Sequence, residues 1–339
     1  MVPKEVGTVR KIGLMWSKTF FEEREEAYYQ LKPNFKGKTL VLIEEALGEM
    51  SFEVISLNVD EPLDRVIRKI HKEKIDFAFN LSVSVSGTYN QSVLPSVLDA
   101  LGIPYLGSNA IVHSFSLDRV LLKLTLRGMG IPTPSCFLFT QGEAIPENLD
   151  FPVVIKPRFR TTKNPVTLEA VSTEREDLER KISLFAEKLG EKLVVERLIL
   201  GKEIVVGMWG NGPQREILPF VEVNLGKNCL IWDSQEKWRK GYVEDALCPS
   251  SLSEEERDVV ERMVVKICQE LDIRDFATFH LIFAEKEEMP FFFEMNSLPN
   301  LYYKHSAFPR MCETTGVGYK EMIQRLVGIA QERLRNVLK

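Results

Sequence analysis

Histidine and cysteine are scarce in this 339-residue chain, with four of the first and five of the second. The histidines (His71, His113, His280, His305) contain no H-x-x-x-H spacing, and the cysteines (Cys136, Cys229, Cys248, Cys268, Cys312) no C-x-x-C pair. Disulfide scaffolds and structural zinc sites need close, repeated spacings, so neither is expected. All five thiols are read as reduced, and the protein as cytoplasmic. No apolar run approaches the roughly 20 residues of a membrane helix. The first eleven residues have no apolar core for a signal peptide. Charge of neither sign dominates: Lys+Arg 44 against Asp+Glu 49 gives 44 − 49 = −5. That balance argues against nucleic acid and membrane as partners.

What remains is an ordinary globular composition, 44% hydrophobic and 27% charged, with apolar material enough for real cores. At roughly 150 residues per domain the length suggests two or three domains. The first stretch alternates strands (Lys11–Trp16, Phe52–Val59, Ile75–Asn80) with helical patterns, one charged and starting at Glu22, another carrying Leu63, Val66, Ile67 and Ile70. That rhythm predicts a parallel sheet covered by helices. A helix over Val93–Leu101 stops at Gly102 and leads to a short strand, Ile103–Ser108. A second unit opens with a helix over Leu117–Arg127. It continues with the strand Phe151–Lys156, a helix behind a capping box at Thr173 and Glu176, and the strand Lys192–Glu196. The last third holds the strand Glu203–Trp209, a helix capped by Ser253 and Glu256, the strands Ala277–Phe283 and Phe291–Asn296, and a C-terminal helix. The expected divisions are 1–117, 118–201 and 202–339.

The hairpin around Glu287 is the most informative segment. With residue 287 as its centre, Phe283 opposes Phe291, Leu281 opposes Phe293 and His280 opposes Glu294. Glu294 and Asn296 then share one face while Met295 takes the other. His280, Glu294 and Asn296 form either a polar cluster or the solvated side of a half-exposed sheet.

The segment Phe293-Glu-Met-Asn-Ser-Leu-Pro-Asn300, with His305-Ser306 and Pro309 beyond it, resembles the metal-binding strand of the D-alanine–D-alanine ligases. These are ATP-grasp carboxylate–amine ligases. Ile103–Ser108, Ser116–Arg119, Gly130–Pro134, Phe151–Pro157, Val195–Glu203 and Trp232–Lys237 with Cys248-Pro249 resemble further segments of that family, in its order. The resemblance implies an N-terminal parallel α/β (pre-ATP-grasp) domain followed by a two-lobed ATP-grasp fold of α+β lobes. It implies ATP with Mg²⁺ (or Mn²⁺) as cofactors, amino acid or peptide substrates, and a possible homodimer. Lys156 matches a lysine that meets the ATP phosphates, and Arg119 stands where the family usually has lysine. Glu196 and Leu198 match the adenine-reading positions, and Glu203 the ribose carboxylate. Lys237 matches a lysine of the closing loop and Ser306 a residue beside the acceptor carboxylate. Glu294 and Asn296 match two metal ligands.

The departures from the family are specific. Its third metal ligand, an aspartate, aligns with His280. That imidazole weakens the metal site, selects a softer ion, or is structural. The family's nearby arginine aligns with Thr278, and a glycine with Asn300. The phosphate-covering loop, Arg158-Phe-Arg-Thr-Thr-Lys-Asn-Pro165, has no glycine to let phosphate approach the backbone, so it must bind through basic side chains if it binds at all. Ser82-Val83 replaces a His-Gly motif, and no substrate-binding glutamate follows β-strand residues Met15–Trp16. Two readings follow: an active ligase forming an amide bond through an acyl phosphate, or an impaired relative that binds nucleotide as a sensor or partner.

Overall fold

The computed structural model describes residues 9–17, 35–86, 88–140, 142–160, 168–223, 246–304 and 306–337. β1 (Lys11–Trp16) is the middle strand of a three-stranded parallel sheet. α1 (Phe35–Glu49) leads to β2 (Glu53–Asn58) on one side, and α2 (Leu63–Glu73) to β3 (Phe77–Asn80) on the other. Parallel neighbours require such crossovers. Ile12, Leu14 and Met15 are wholly buried, as expected for a strand covered on both faces. The helical pattern from Glu22 falls outside the described residues. β4 (Ser84–Val85) and β5 (Thr88–Tyr89) form a small hairpin before α3 (Val93–Leu101), which Gly102 ends at φ 66.

One expectation fails here and another shifts, both for local reasons. Ile103–Ser108 is not a strand; Tyr105 makes an isolated parallel bridge to Ala78, beside a proline that has no N–H to offer. The helix expected over Leu117–Arg127 forms as α5 (Arg119–Gly128), two residues later than expected, because a separate helix, α4 (Ala110–Leu117), ends just before it. Asp118 is extended there (φ −94, ψ 104), and its Oδ1 accepts from Val120 and Leu121 N–H at 3.0 and 3.2 Å. A short carboxylate favours that capping role over a helix interior.

The middle of the chain builds an antiparallel sheet from β6 (Cys136–Phe139), β7 (Val153–Pro157), β8 (Val171–Ser172) and β9 (Leu193–Arg197), in the order β6-β9-β7-β8. α6 (Arg175–Leu189) covers it through Leu178, Ile182 and Ala186. The first capping box does not form. α6 starts one residue later than Thr173 would require, with Glu174 as an N-cap that makes no side-chain cap bond.

The last sheet combines β10 (Gly201–Trp209), β11 (Glu216–Ile217) and β12 (Val221–Val223) with β13 (Phe276–Ala284) and β14 (Met289–Asn296). Between β12 and β13, α7 (Glu254–Glu270) does open with its box: Glu256 N–H donates to Ser253 Oγ and Ser253 N–H to Glu256 Oε2. α8 (Ala307–Thr314) and α9 (Tyr319–Val337) end the chain. Core packing crosses the expected divisions. α5 places Leu122 and Leu126 in one cluster with Phe279, Phe292 and Val264. Phe308, Met322 and Leu326 share a core with Leu14, Ile43 and Phe79 of the first sheet.

Gly201 starts β10 against β13, where an added Cβ would lie 2.1 Å from the Phe283 carbonyl oxygen. Backbone on both sides cannot give way. Gly201→Ala is expected to cost about 1–3 kcal/mol, read by chemical denaturation.

Among the described residues, no helix is long and apolar enough to cross a membrane.

Candidate active site

Where β7, β9, α5 and β14 converge, three charged side chains are shut away from water. Lys156 ends the apolar run of β7, Glu196 lies on β9, and Lys123 projects from α5. Side-chain exposures are 15%, 2% and 1%. Lys123 Nζ lies 2.8 Å from Glu196 Oε2, and Lys156 Nζ donates to Glu196 Oε1. Burial would raise the Glu196 carboxyl, but the charges of Lys123 and Lys156 override it and hold it at about 2. Burial draws Lys156 below the ordinary lysine range against the pull of Glu196. Two ammoniums against one carboxylate leave +1, and one anion cannot compensate both. The third sheet closes the cluster. Lys123 Nζ donates to the Phe293 carbonyl at 3.2 Å, and Lys156 Nζ sits 5.2 Å from the centre of the Phe293 ring.

Beside this cluster lie Arg158–Arg160, the described part of the glycine-free strap Arg158–Pro165. Its first residues are pinned to the α4–α5 junction: Arg119 N–H donates to the Arg158 carbonyl at 3.1 Å and Arg160 N–H to that of Leu117 at 2.9 Å. The Arg158 fork meets Asp118, with Nη2 to Oδ2 at 2.7 Å and Nε to Oδ2 at 3.0 Å. Arg119 Nη1 donates to the Pro157 carbonyl at 2.8 Å. Arg160 reaches across to β14, where it pairs with Glu294 at 2.8 Å and donates to the Met295 carbonyl at 2.7 Å.

The hairpin keeps its expected pairing at its polar end and loses it at the tip. His280 opposes Glu294 and Thr278 opposes Asn296, but Leu281 opposes Phe292 and Phe283 opposes Pro290. A bulge between His280 and Leu281 leaves Phe293 as an extra residue on β14. Met295 is buried while Glu294 and Asn296 are partly exposed, so the shared polar face exists. As arranged, these groups do not make a cage for a divalent ion. Glu294 is engaged by a guanidinium, Asn296 Oδ1 accepts from Leu298 N–H at 3.2 Å, and the His280 ring packs edge-on to Phe293 at 6.2 Å. Among the described residues, no three His, Cys, Asp or Glu side chains gather as metal ligands. Mg²⁺ prefers carboxylate and other hard oxygens in near-octahedral array, and the one carboxylate here is already neutralised.

The remaining expected residues are dispersed. Glu203, on β10, is buried to 4% exposure. Leu198 N–H, expected at a base edge, donates to the Pro152 carbonyl at 2.8 Å. Ser306 caps α8 as expected, but its Oγ accepts from Tyr302 N–H at 3.2 Å. Lys237 and His305 lie outside the described residues. A small cleft lies between α1 and the segments that follow β3 and β14, lined by Ile43, Leu81, Val83, Leu298, Asn300 and Leu301. It brings the altered Ser82-Val83 and Asn300 segments together.

Sequence reasoning missed Lys123, whose only trace is a lysine among Leu121, Leu122 and Leu124. It also missed a buried polar chain behind Asn296. Gln91 Nε2 donates to Ser116 Oγ at 2.8 Å, and Ser116 and His113 both meet Ser297 Oγ, at 2.9 and 2.7 Å. Burial lowers His113 to about 4, so its imidazole is neutral near pH 7.

A parallel sheet followed by two antiparallel sheets with covering helices has known counterparts. The family model described as D-ala D-ala ligase C-terminus matches residues 129–328. The chain belongs to this family. Uncharacterized protein y4sG of Sinorhizobium fredii is 30% identical over 258 residues, 75% of this chain and 74% of that protein. The D-alanine–D-alanine ligase of Desulforudis audaxviator is 28% identical over 85% of this chain and 91% of its own. In three dimensions the chain superposes on the D-alanine–D-alanine ligase of Bacillus anthracis complexed with ATP. The TM-score is 0.71 at 19% identity, covering 97% of this chain and all of that one. The architecture expected from sequence, a parallel α/β domain followed by an ATP-grasp fold, is therefore present. The family is one of ATP-dependent carboxylate–amine ligases.

Proposed function

We propose that this protein is an ATP-dependent ligase that joins a carboxylate to an amine through an acyl phosphate. The observation that carries the reading is the buried Lys123–Glu196–Lys156 cluster, in which two lysines share one carboxylate and Lys156 is the partly exposed member, so that it calls for a second anion. A triphosphate supplies it, with Lys156 as a point charge on its oxygens. Glu203 would take the ribose hydroxyls, with Leu198 and Glu196 beside the base and Arg119 behind the strap. Lys237 and Ser306 complete the expected set. The division at about 117 and 201 belongs to the same reading.

In the first step a substrate carboxylate oxygen bonds to the γ-phosphorus and the bond to ADP breaks. In the second the amine attacks the acyl carbon, phosphate departs with the bonding pair, and the nitrogen loses a proton. The protein positions the groups and offsets their charge. The substrates are small amino acids or peptides. D-alanine itself is not required, because the segments at Ser82-Val83, Thr278 and Asn300 all differ from the family's.

Lys156→Met is expected to weaken ATP binding at least tenfold, about 1.4 kcal/mol, by calorimetry. Phosphate release is then followed across a panel of D- and L-amino acids and short peptides, and stimulation by a carboxylate–amine pair identifies the reaction. Thr278, in place of the family's arginine, favours a second reading as an impaired nucleotide binder. ATP uptake with no stimulation by any pair would support it.

A further inference from the structure

Three cations converge on three consecutive residues of β14. Lys123 and Lys156 meet Phe293, while Arg160 meets Glu294 by charge and Met295 through its carbonyl. Arg160 is held at both ends, its main chain bonded to Leu117 and its guanidinium clamped on β14, with the side chain 19% exposed. A guanidinium carries five N–H donors in a rigid fork. Two serve Glu294 and Met295, leaving three more on a planar cation beside the lysine cluster. A divalent ion arriving here must displace that fork from Glu294, exchanging one charge pair for another, and among the described residues it finds no cluster of further ligands to reward it.

We propose that Arg160, rather than a divalent ion held by the protein, is the cation that meets the nucleotide phosphates at the Glu294 edge. The inference rests on the nucleotide-binding reading above and adds that this binding is independent of metal. Glu294 then serves as the holder of Arg160 and its competitor for phosphate. This gives the Glu294 variants a sign opposite to that of a metal ligand.

The test is calorimetric titration of the full chain with ATP, once in EDTA and once in excess Mg²⁺. Wild type is expected to give Kd values within about threefold of each other, a difference under 1 kcal/mol. Glu294→Gln, which keeps an acceptor for Arg160 but removes its charge, is expected to bind ATP in EDTA as tightly as wild type or tighter. Arg160→Ala is expected to weaken binding in EDTA at least tenfold, with Arg160→Lys between the two. The wild-type pair of titrations needs no variant to fold. A tenfold or greater loss in EDTA, with Glu294→Gln abolishing the gain from Mg²⁺, overturns the inference and leaves the ligase reading standing. No ATP uptake in either condition overturns both.

Discussion

Glu196→Ala is expected to destabilise the protein by about 3–5 kcal/mol, the range for leaving buried charges without their partner, and to abolish its thermal response to ATP. Among the described residues, this carboxylate is the counter-charge that Lys123 and Lys156 share. Without it two ammoniums, 1% and 15% exposed, face each other in a closed space. Glu196→Gln separates charge from shape. It fills the same volume and still accepts a hydrogen bond, so its loss measures the charge alone and is expected to be smaller than that of the alanine variant. In both variants desolvation favours loss of a lysine proton, so one of the two ammoniums that would meet a triphosphate loses its charge, and the carboxylate that holds the pair in place is gone. A structural role alone would lower the melting temperature yet leave the ATP-induced rise intact. Thermal melting with and without ATP distinguishes the two.

The same cluster fixes a pH dependence. The Glu196 carboxyl is depressed from 4.5 to about 2 in the fold, so the unfolded chain binds its proton more readily than the folded one. The stabilisation from Glu196 is complete above about pH 4.5 and disappears as pH falls towards about 2. Lys156 is displaced downward by burial, and a triphosphate oxygen beside it reverses that displacement. ATP binding on the alkaline side is therefore expected to take up a proton, seen as a calorimetric heat that varies with the ionisation enthalpy of the buffer. Lys156→Met is expected to remove that variation.

The strands and the order of the family's segments were legible because they depend on local pattern. Runs such as Val153–Ile155 and Ala277–Phe283 announce buried strands, and Ser253 with Glu256 announces a helix start. The start of α5 was placed two residues early because one capping residue, Asp118, between two apolar helical patterns leaves the periodicity nearly unbroken. The hairpin tip slipped by one residue because a bulge adds a residue without altering the alternation on either side. Among the site residues, Lys156, Glu196 and Glu294 were readable as chemistry-bearing side chains ending apolar runs. Their partners were not. Lys123, Arg160 and Phe293 come from separate segments, and nothing in a one-dimensional pattern records that α5 and the strap meet β14. The core clusters teach the same point. Leu122 lies early in the second expected unit yet packs with Phe279 and Phe292 of the third.

Asp275→Ala is expected to cost as much stability as Glu196→Ala while leaving the charge of the proposed nucleotide site unchanged. Asp275 is wholly buried. Its carboxylate accepts from Gly107 N–H at 2.8 Å, from Asn211 Nδ2 at 2.9 Å, and from Arg333 Nε and Nη2 at 2.8 Å each. Arg333 also donates to the Tyr105 carbonyl at 2.8 Å. One carboxylate thereby ties the segment after α3 to the end of β10 and to α9. Burial works against the Arg333 charge, but its bond to Asp275 prevails and holds it more firmly protonated than usual. Removing the carboxylate strands a permanent cation that cannot shed its proton, for an expected loss of about 3–5 kcal/mol. Asp275 also sits at φ 63, a left-handed conformation that asparagine tolerates and alanine resists by roughly 1–2 kcal/mol. Asp275→Asn is therefore expected to unfold at a higher urea concentration than Asp275→Ala, with both below wild type. Trp209, at the end of β10 opposite Phe276, gives a local fluorescence signal for the transition. At low temperature both variants are expected to bind ATP with wild-type affinity, because the Lys123–Glu196–Lys156 cluster does not include this carboxylate. A tenfold loss of affinity in the still-folded Asp275→Asn variant would mean that the tie also sets the geometry of the cleft.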